Sequence, residues 1–474
     1  MASNILNAGN KFVPPTKNFL NWKSPYVNRV NYSILDFIGN TPLIKLNKIP
    51  NDYGLSCEIY AKCEFMNPTG SIKDRVALAM VEDAKGEKYL TDDAGFVDPT
   101  SGNTGISLAL QATLKERKCY IVTKERTCSE KIKTMKLLGA EVIQTKNCIQ
   151  MSRKIKETSR DNLVIMDEIE NRVNPQTHYY TTGDEIVRAL GTIDMLVLGI
   201  GTGATVAGAG HRIKETCPEC LIVISEPDGS TMFNTNGKID GYEVITDKEA
   251  FLMAREIIKK EGLLCGGSSG AAMVAAIKSI KKNNIGAGQK VVVILPDGMC
   301  NYMTKFVCEQ WMEAHLFMDP PQQSMRWWRN PITDLKLSRQ FPVLNTAETC
   351  TQAIKKMKDK NFAIVTNDKG LFVGAISKDS IRHEATNPIK LPNSHSERFN
   401  FEDQVAEHLI RDCYKLAVNG EKGVPTIGLL SRILDITRFV VIGSNDSGYF
   451  RADSVATGDD ILDYIFNHHE GCIF

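Results

Sequence analysis

The chain has 474 residues, of which 42% are hydrophobic, 24% charged and 7% aromatic. This composition is typical of a globular protein and excludes collagen-like, disulfide-scaffold and disordered chains. With 57 Lys and Arg against 56 Asp and Glu, the net charge is +1. Such a balance gives no global attraction to nucleic acid or to an anionic membrane, and we predict neither as a partner.

Residues 1–32 are polar and contain a Pro-Pro pair, so we expect an N-terminal arm here rather than a folded domain. The first thirty residues lack the apolar core of a signal peptide. No run reaches the roughly 18 apolar residues of a membrane span. The 13 cysteines are scattered and odd in number, which favours free thiols in a reducing compartment. We therefore expect a cytoplasmic protein.

Residues 33–317 alternate short apolar runs with longer amphipathic stretches. The apolar runs are continuous, which is typical of parallel strands covered on both faces, and strand–helix alternation favours an α/β fold. The predicted strands lie at 58–62, 118–123, 141–144, 193–200, 221–225 and 290–295, with helices such as 129–138 and 248–261 between them.

The composition changes at a Pro-Pro-Gln-Gln stretch within residues 318–329, which we predict to be a linker. Residues 330–474 then form a second, smaller α/β domain in our interpretation. Its predicted strands are 362–365 and 439–442, and its predicted helices are 347–360 and 459–467. Two short strand–helix units in this region hint at an internal duplication.

One candidate anion site follows the predicted strand at 193–200. Its loop, Gly201-Thr-Gly-Ala-Thr205, runs into a predicted helix. Glycines let the backbone approach a ligand, and a helix N-terminus offers free N–H groups and a partial positive charge. The Gly-Lys-Ser/Thr of a Walker loop is missing. On this loop alone, a phosphate site and an ordinary tight turn remain equally open.

Two other segments carry groups suited to amino-acid chemistry. Lys73 follows a Gly-Ser turn and opens an apolar helix, where an amine is a candidate nucleophile and a solvated surface lysine is the ordinary alternative. Residues Asp98-Pro-Thr-Ser-Gly-Asn-Thr-Gly105 run from a strand end into a helix. Their hydroxyls, amide and free N–H groups form an anion nest suited to a carboxylate.

A lysine, a carboxylate nest and a phosphate loop in this order resemble the cystathionine β-synthase family of pyridoxal-phosphate enzymes, which have a tryptophan-synthase-like fold. The resemblance covers nearly the whole chain after residue 33. It implies a two-subdomain, parallel-sheet pyridoxal-phosphate fold (fold type II) over 33–317, and a pair of regulatory CBS domains over 330–474. Further matching segments are Ile38-Gly-Asn-Thr-Pro-Leu43, Asn174-Pro-Gln-Thr-His-Tyr-Tyr-Thr-Thr182, Glu261-Gly-Leu-Leu-Cys-Gly-Gly-Ser-Ser-Gly270, Pro296-Asp-Gly-Met-Cys-Asn-Tyr-Met-Thr-Lys-Phe306 and Trp327-Trp328.

The resemblance also implies a role for each motif residue. Lys73 would hold pyridoxal phosphate covalently and serve as the catalytic residue. Asn103 would bond the cofactor's ring oxygen, and Ser268 would face its pyridine nitrogen. The cofactor's phosphate would be held by Gly201, Thr202, Gly203, Ala204 and Thr205. The substrate pocket would be formed by Thr100, Ser101 and Thr104, which hold the carboxylate, and by Tyr179.

The implied reaction is a β-replacement that condenses serine with homocysteine to cystathionine, in the transsulfuration route of cysteine biosynthesis. A homodimer or higher homo-oligomer is expected, and no metal site. Residues 1–56 contain neither cysteine nor histidine, so we expect no haem held by such ligands. In the tail, residues 457–460 match a position at which regulatory domains of this type bind adenosyl ligands. Adenosylmethionine binding and a purely structural tail remain equally open.

Several positions depart from the family pattern. Ala204 replaces a glycine, Cys300 replaces an arginine, and Glu168 replaces a glutamine near the substrate carboxylate. The stretch after Ser230 lacks most of a segment of roughly twenty residues that closes over the substrate in relatives. Glu168 and the shortened stretch favour one alternative, a catalytically degenerate paralogue that binds a ligand and regulates a partner. A cysteine synthase is the other alternative, and the regulatory tail disfavours it.

Overall fold

A computed structural model describes residues 32–468 apart from 88–89, 101, 125–126, 230–238, 322, 324, 338–340, 387–399, 411–412, 421–422 and 447. A 3-10 helix covers Ile34–Phe37. The strands up to residue 317 are β1 (Leu43–Lys45), β2 (Glu58–Cys63), β3 (Gly95–Pro99), β4 (Cys119–Thr123), β5 (Glu141–Gln144), β6 (Leu163–Ile165), β7 (Met195–Gly199), β8 (Leu221–Pro227), β9 (Gly241–Ile245) and β10 (Lys290–Leu295).

Helices connect most of these strands, as expected for parallel pairing. They are α1 (Lys48–Asp52), α2 (Lys73–Gly86), α3 (Asn103–Leu114), α4 (Ser129–Leu137), α5 (Cys148–Thr158), α6 (Val173–His178), α7 (Asp184–Leu190), α8 (Ala204–Thr216), α9 (Asp247–Glu261), α10 (Gly267–Lys282) and α11 (Glu309–Ala314). A π-helical turn at Tyr179–Gly183 joins α6 to α7, and 3-10 helices cover Glu64–Met66 and Met299–Tyr302.

The larger sheet has the strand order β1-β2-β10-β7-β8-β9. Only β1 is antiparallel to its neighbour, and the other pairs are parallel. Central strand β10, Lys-Val-Val-Val-Ile-Leu, is buried at every position after the first, because helices cover both faces of the sheet. Residues of α1, α9 and α10 pack on one face, and residues of α7 and α8 pack on the other.

The second sheet has the order β5-β4-β3-β6 with all strands parallel. Its two faces are covered by α2, α3 and α4 on one side and by α5 on the other. One sheet that is wholly parallel and one that is parallel except for edge strand β1, each with its own helices, confirm the predicted two-subdomain α/β fold. Strands β1, β6 and β9 are short strands at sheet edges and were not predicted.

Among the described residues, the C-terminal region contains two three-stranded sheets with the same topology, which agrees with the smaller α/β fold predicted for this region. In each sheet the first two strands are parallel and the last two are antiparallel with a bulge. The elements are β11 (Val343–Asn345), α12 (Cys350–Met357), β12 (Phe362–Thr366), β13 (Phe372–Ser377) and α13 (Lys378–Thr386), then β14 (Lys415–Ala417), α14 (Ile427–Leu434), β15 (Val440–Asp446), β16 (Tyr449–Ala456) and α15 (Gly458–His468).

Local capping chemistry explains where several helices begin and end. The predicted helix at 347–360 is shorter in the structure, because a capping box between Thr349 and Gln352 fixes its start at Cys350. A second capping box, between Thr246 and Glu249, starts α9, which ends at left-handed Gly262. Among the helices of the described residues, none combines the length and the apolar character needed to cross a membrane.

Candidate active site

Several of the predicted site residues, together with Asp297, lie beyond the carboxyl ends of parallel strands from both sheets. Lys73 opens α2 after β2, and Asn103 opens α3 after β3. Glu168 follows β6, and Asp297 follows β10. In open α/β sheets this edge holds the ligands, because loops and helix N-termini converge there. Side chains that follow strands of one sheet form hydrogen bonds with side chains that follow strands of the other.

One group of side chains centres on the carboxylate of Glu168. Lys73 Nζ donates a hydrogen bond to its Oε1, and Thr104 Oγ1 donates to its Oε2. Lys73 is the first residue of α2, and Thr104 lies in the first turn of α3. The Lys73 side chain is 22% exposed and that of Glu168 is 11% exposed. The predicted cofactor lysine and the predicted substrate-carboxylate residue therefore bind the same carboxylate.

Buried side chains fix the backbone that carries Glu168. The Oδ1 atom of Asp98 accepts the backbone N–H of Asp167 at 2.9 Å, and Asn174 Nδ2 donates to the carbonyl of Glu168 at 3.0 Å. Asp98 is fully buried, and burial, aided by the nearby charge of Glu168, raises the pKa of Asp98 to about 8. Asp98 is thus mostly neutral at pH 7 and adds little negative charge to the site.

A second group centres on Asp297, which is 2% exposed. Its Oδ2 accepts a hydrogen bond from Asn103 Nδ2 at 2.9 Å and another from the hydroxyl of Tyr302. Its Oδ1 accepts one from Ser268 Oγ at 3.4 Å. Asn103 and Ser268, the residues predicted to contact the cofactor ring, are therefore oriented by one buried carboxylate.

Tyr302 and Lys131 complete this second group. Burial, together with the charge of Asp297, holds the pKa of Tyr302 well above its usual value, so its hydroxyl remains a donor. Lys131 Nζ lies 3.3 Å from that hydroxyl and 4.7 Å from the centre of the Tyr302 ring. Our sequence predictions gave no role to Asp297, Tyr302 or Lys131. The available signal was the Pro296–Tyr302 segment, which carries two of them.

The predicted phosphate loop runs from β7 into α8. Gly203 has φ +83°, a left-handed conformation that favours glycine, and it directly precedes α8. Ala204 begins the helix with an ordinary negative φ, so its methyl group requires no backbone strain. Gly201 and Thr202 are exposed. A cleft of about 1100 Å³ opens beside the loop and is lined in part by Thr202, Gly203 and Ala204.

A neutral histidine positions the last residue of this loop. His178 Nε2 lies 3.3 Å from Thr205 Oγ1, and its Nδ1 lies 3.0 Å from Thr182 Oγ1. Burial, with smaller effects of Lys73 and Arg75, holds the pKa of His178 well below its usual value. A neutral ring can accept a hydrogen bond at one nitrogen and donate from the other, so His178 orients the Thr205 hydroxyl. The charge of Lys73 thus lowers the pKa of His178, a residue that contacts the loop at Thr205.

The other residues predicted to form the substrate pocket, Thr100, Ser101 and Tyr179, differ in where they lie. Thr100 is buried, and its backbone N–H donates to the carbonyl of Val122 at 2.9 Å, which ties the nest to β4. Ser101 lies outside the described residues. Tyr179 donates its hydroxyl to Glu215 at 2.7 Å, on the side of α8. Its ring lies beside those of Tyr180 and His211, and its place in the substrate pocket stays a prediction.

The donor set fits pyridoxal phosphate. None of the described side chains caps the N-terminus of α8, so its first N–H groups, next to left-handed Gly203, can bind a phosphate. Lys73 supplies a partly exposed amine, and Asn103 and Ser268 supply neutral polar groups for a ring. The shortened stretch after Ser230 lies mostly outside the described residues.

Comparisons with known proteins agree with this geometry. A family model described as pyridoxal-phosphate dependent enzyme matches residues 34–239 and 234–297. A cystathionine beta-synthase from Apis mellifera is 36% identical over 449 residues, covering 86% of each chain. Another from Oryctolagus cuniculus is 34% identical over 461 residues, covering 89% of this chain and 80% of the relative. The solved structure of an O-acetylserine dependent cystathionine beta-synthase from Helicobacter pylori matches at TM-score 0.55 and 34% identity, over 59% of this chain and 99% of that one.

The two largely parallel sheets, the lysine that follows a strand of one sheet and contacts Glu168 after a strand of the other, and the matching family model define a pyridoxal-phosphate-dependent enzyme. Pyridoxal phosphate is accordingly its cofactor, and small amino acids are its substrates. Since the similarity to the Apis mellifera protein extends well beyond the two large sheets, the chain belongs to the cystathionine β-synthase family.

Proposed function

We propose that this protein is a cystathionine β-synthase, which joins serine and homocysteine to form cystathionine and water by β-replacement. The observation that carries the proposal is the shared carboxylate of Glu168. Because Lys73 Nζ and Thr104 Oγ1 bind its two oxygens, an amino acid held by its carboxylate at Thr104 would have its α-carbon within reach of Lys73. This is the arrangement that chemistry at the α-carbon needs.

The chemistry that pyridoxal phosphate supplies when bound is an electron sink for negative charge at the substrate's α-carbon. In our proposal Lys73 Nζ holds the cofactor and, once released, moves the α-proton. Thr100, Ser101 and Thr104 bind the substrate carboxylate, and Tyr179 lines the pocket.

Two neutral residues and the phosphate loop would hold the cofactor. Asn103 and Ser268, both bonded to Asp297, would hold the ring. A neutral hydroxyl at Ser268 would leave the pyridine nitrogen unprotonated, which would favour β-elimination over transamination. The loop Gly201–Thr205 would hold the phosphate through backbone N–H groups and the two threonine hydroxyls.

For the tail we propose the structural role. The Asp460 carboxylate accepts hydrogen bonds from the N–H and the hydroxyl of Thr457, both at 2.7 Å, so it caps its own helix. Ser380 forms the equivalent cap with Ser377 in the first repeat. Because Asp460 Oδ2 already accepts two hydrogen bonds from Thr457, this contact supports a structural role for Asp460 and not the binding of adenosylmethionine.

We further propose a division into an arm (1–32), a catalytic domain (33–317), a linker (318–329) and a regulatory CBS-domain pair (330–474). Trp327 and Trp328 pack with β14 and α14, which supports a linker that ends close to them.

A cytoplasmic location is supported by the described cysteines, all of which are free thiols. A homodimer is supported by the exposed apolar side chains of Ile169 and Tyr180 near the site.

The test is to incubate the purified, cofactor-loaded protein with serine and homocysteine and to measure cystathionine by mass spectrometry. We expect cystathionine from the wild type and none from Lys73→Ala. Formation of cysteine from O-acetylserine and sulfide, without cystathionine, would identify a cysteine synthase instead. No product from a fully loaded wild type would identify the degenerate paralogue. This second candidate is favoured by the negative charge of Glu168 at the Thr104 donor, whereas the proximity of Thr104 to Lys73 favours the enzyme.

A further inference from the structure

The position of Glu168 has a consequence for substrate choice. Its carboxylate accepts a hydrogen bond from Thr104 Oγ1. In the proposed function, Thr104 is one of the donors that bind the substrate's α-carboxylate. Its other oxygen accepts from Lys73 Nζ. The side chain of Glu168 thus makes, at Thr104, a contact that the proposed function assigns to the carboxylate of a bound amino acid.

This placement is built into the fold and is not a feature of a free surface side chain. The backbone on each side of Glu168 is held by buried groups: Asp98 accepts the N–H of Asp167, and Asn174 donates to the carbonyl of Glu168. Asp167 itself has φ +45°, which is uncommon for a residue other than glycine. These anchors direct the Glu168 side chain toward the nest.

We infer that Glu168 is a specificity-determining residue whose carboxylate competes with the free α-carboxylate of an incoming amino acid. This inference rests on the proposed function, because it assumes that Thr104 belongs to the substrate site. Two carboxylates on one nest repel each other and share one set of donors, so a free carboxylate binds weakly. An amino compound whose carboxyl group is a neutral amide avoids the repulsion. The site therefore discriminates against free α-carboxylates relative to α-amides.

The experiment compares L-serine with L-serinamide, which keeps the amine and the β-hydroxyl but lacks the carboxylate charge. Dissociation constants are obtained from the absorbance change of the bound cofactor in the loaded wild type, Glu168→Gln and Glu168→Ala. We expect both variants to bind serine at least about tenfold more tightly than the wild type. Serinamide binding should change by less than about twofold, since no second carboxylate is involved.

Glu170→Gln is the matched control, because Glu170 is an exposed acid two residues away, and it should alter neither ligand. Equal shifts for serine and serinamide would overturn the inference, as would no shift for serine. A shift in Glu168→Gln alone would also overturn it, because the gain would then come from the new amide donor and not from loss of charge. The cystathionine assay is separate: absence of product from every variant contradicts the proposed function, whereas a changed binding ratio still supports the role of Glu168.

Discussion

Replacing Asp98 by asparagine should stabilise the protein at alkaline pH. Asp98 is fully buried in β3, and its Oδ2 has no hydrogen-bond partner among the described residues. Burial, with a smaller effect of Glu168, raises its pKa from the ordinary 3.8 to about 8. Asparagine resembles the protonated acid in shape, since Oδ1 can still accept the N–H of Asp167.

The sign follows from proton linkage. Between pH 4 and pH 8 the folded protein keeps a proton on Asp98 that the unfolded chain has lost, so the free energy of unfolding falls as pH rises, by up to about 1.4 kcal/mol per pH unit. Above pH 8 Asp98 is ionised in both the folded and the unfolded protein, so the free energy of unfolding no longer falls because of this residue. Over the two units from pH 6 to pH 8, the wild type should therefore lose about 2–3 kcal/mol relative to Asp98→Asn.

Urea denaturation of the cofactor-free protein at pH 6, 7, 8 and 9 measures this difference. Asp161→Asn is the control: the pKa of Asp161 is lowered by its hydrogen bond to Lys118, so its contribution is lost only at acidic pH and should be constant in this range. A constant difference between the wild type and Asp98→Asn would refute the reasoning, because Asp98 would then be ionised throughout or reached by water.

Three further predictions concern the cofactor and the fold. Borohydride treatment of the loaded protein should fix pyridoxal phosphate to Lys73, and Lys73→Ala should lose this adduct while keeping its circular dichroism; peptide mapping to another lysine would contradict the assignment. Gly208→Ala should destabilise the protein by about 1–3 kcal/mol in urea denaturation, because a methyl group would lie 2.0 Å from the carbonyl of Pro175; an unchanged midpoint would show that α6 and α8 separate easily. No Soret band should appear after expression with haem precursors, since residues 1–56 offer neither Cys nor His; a stoichiometric band would require ligands elsewhere.

Much of the fold was predictable because its central strands are continuous apolar runs. Strands β4, β5, β8 and β10 agree with the predicted segments within a residue or two. The edge strands β1, β6 and β9 carry little local signal, because β1 and β6 have three residues each and β9, Gly-Tyr-Glu-Val-Ile, is not a continuous apolar run. The repeated topology of the C-terminal sheets was only hinted at in the sequence, because backbone pairing and bulge positions repeat there while side chains do not.

For the site, the sequence by itself determined the chemistry of each loop: an amine at Lys73, hydroxyls at Thr100 and Thr104, and glycines at 201 and 203. Local sequence suffices here, because turn residues and helix starts are set by neighbours along the chain. Tertiary structure alone decided which of these groups meet. The contacts of Glu168 with Lys73 and of Asp297 with Asn103 join residues 95 and 194 positions apart, and each contact connects a segment that follows a strand of one sheet with a segment that follows a strand of the other. Side-chain direction and burial arise only from that packing, and so do the neutral state of His178 and the raised pKa of Asp98.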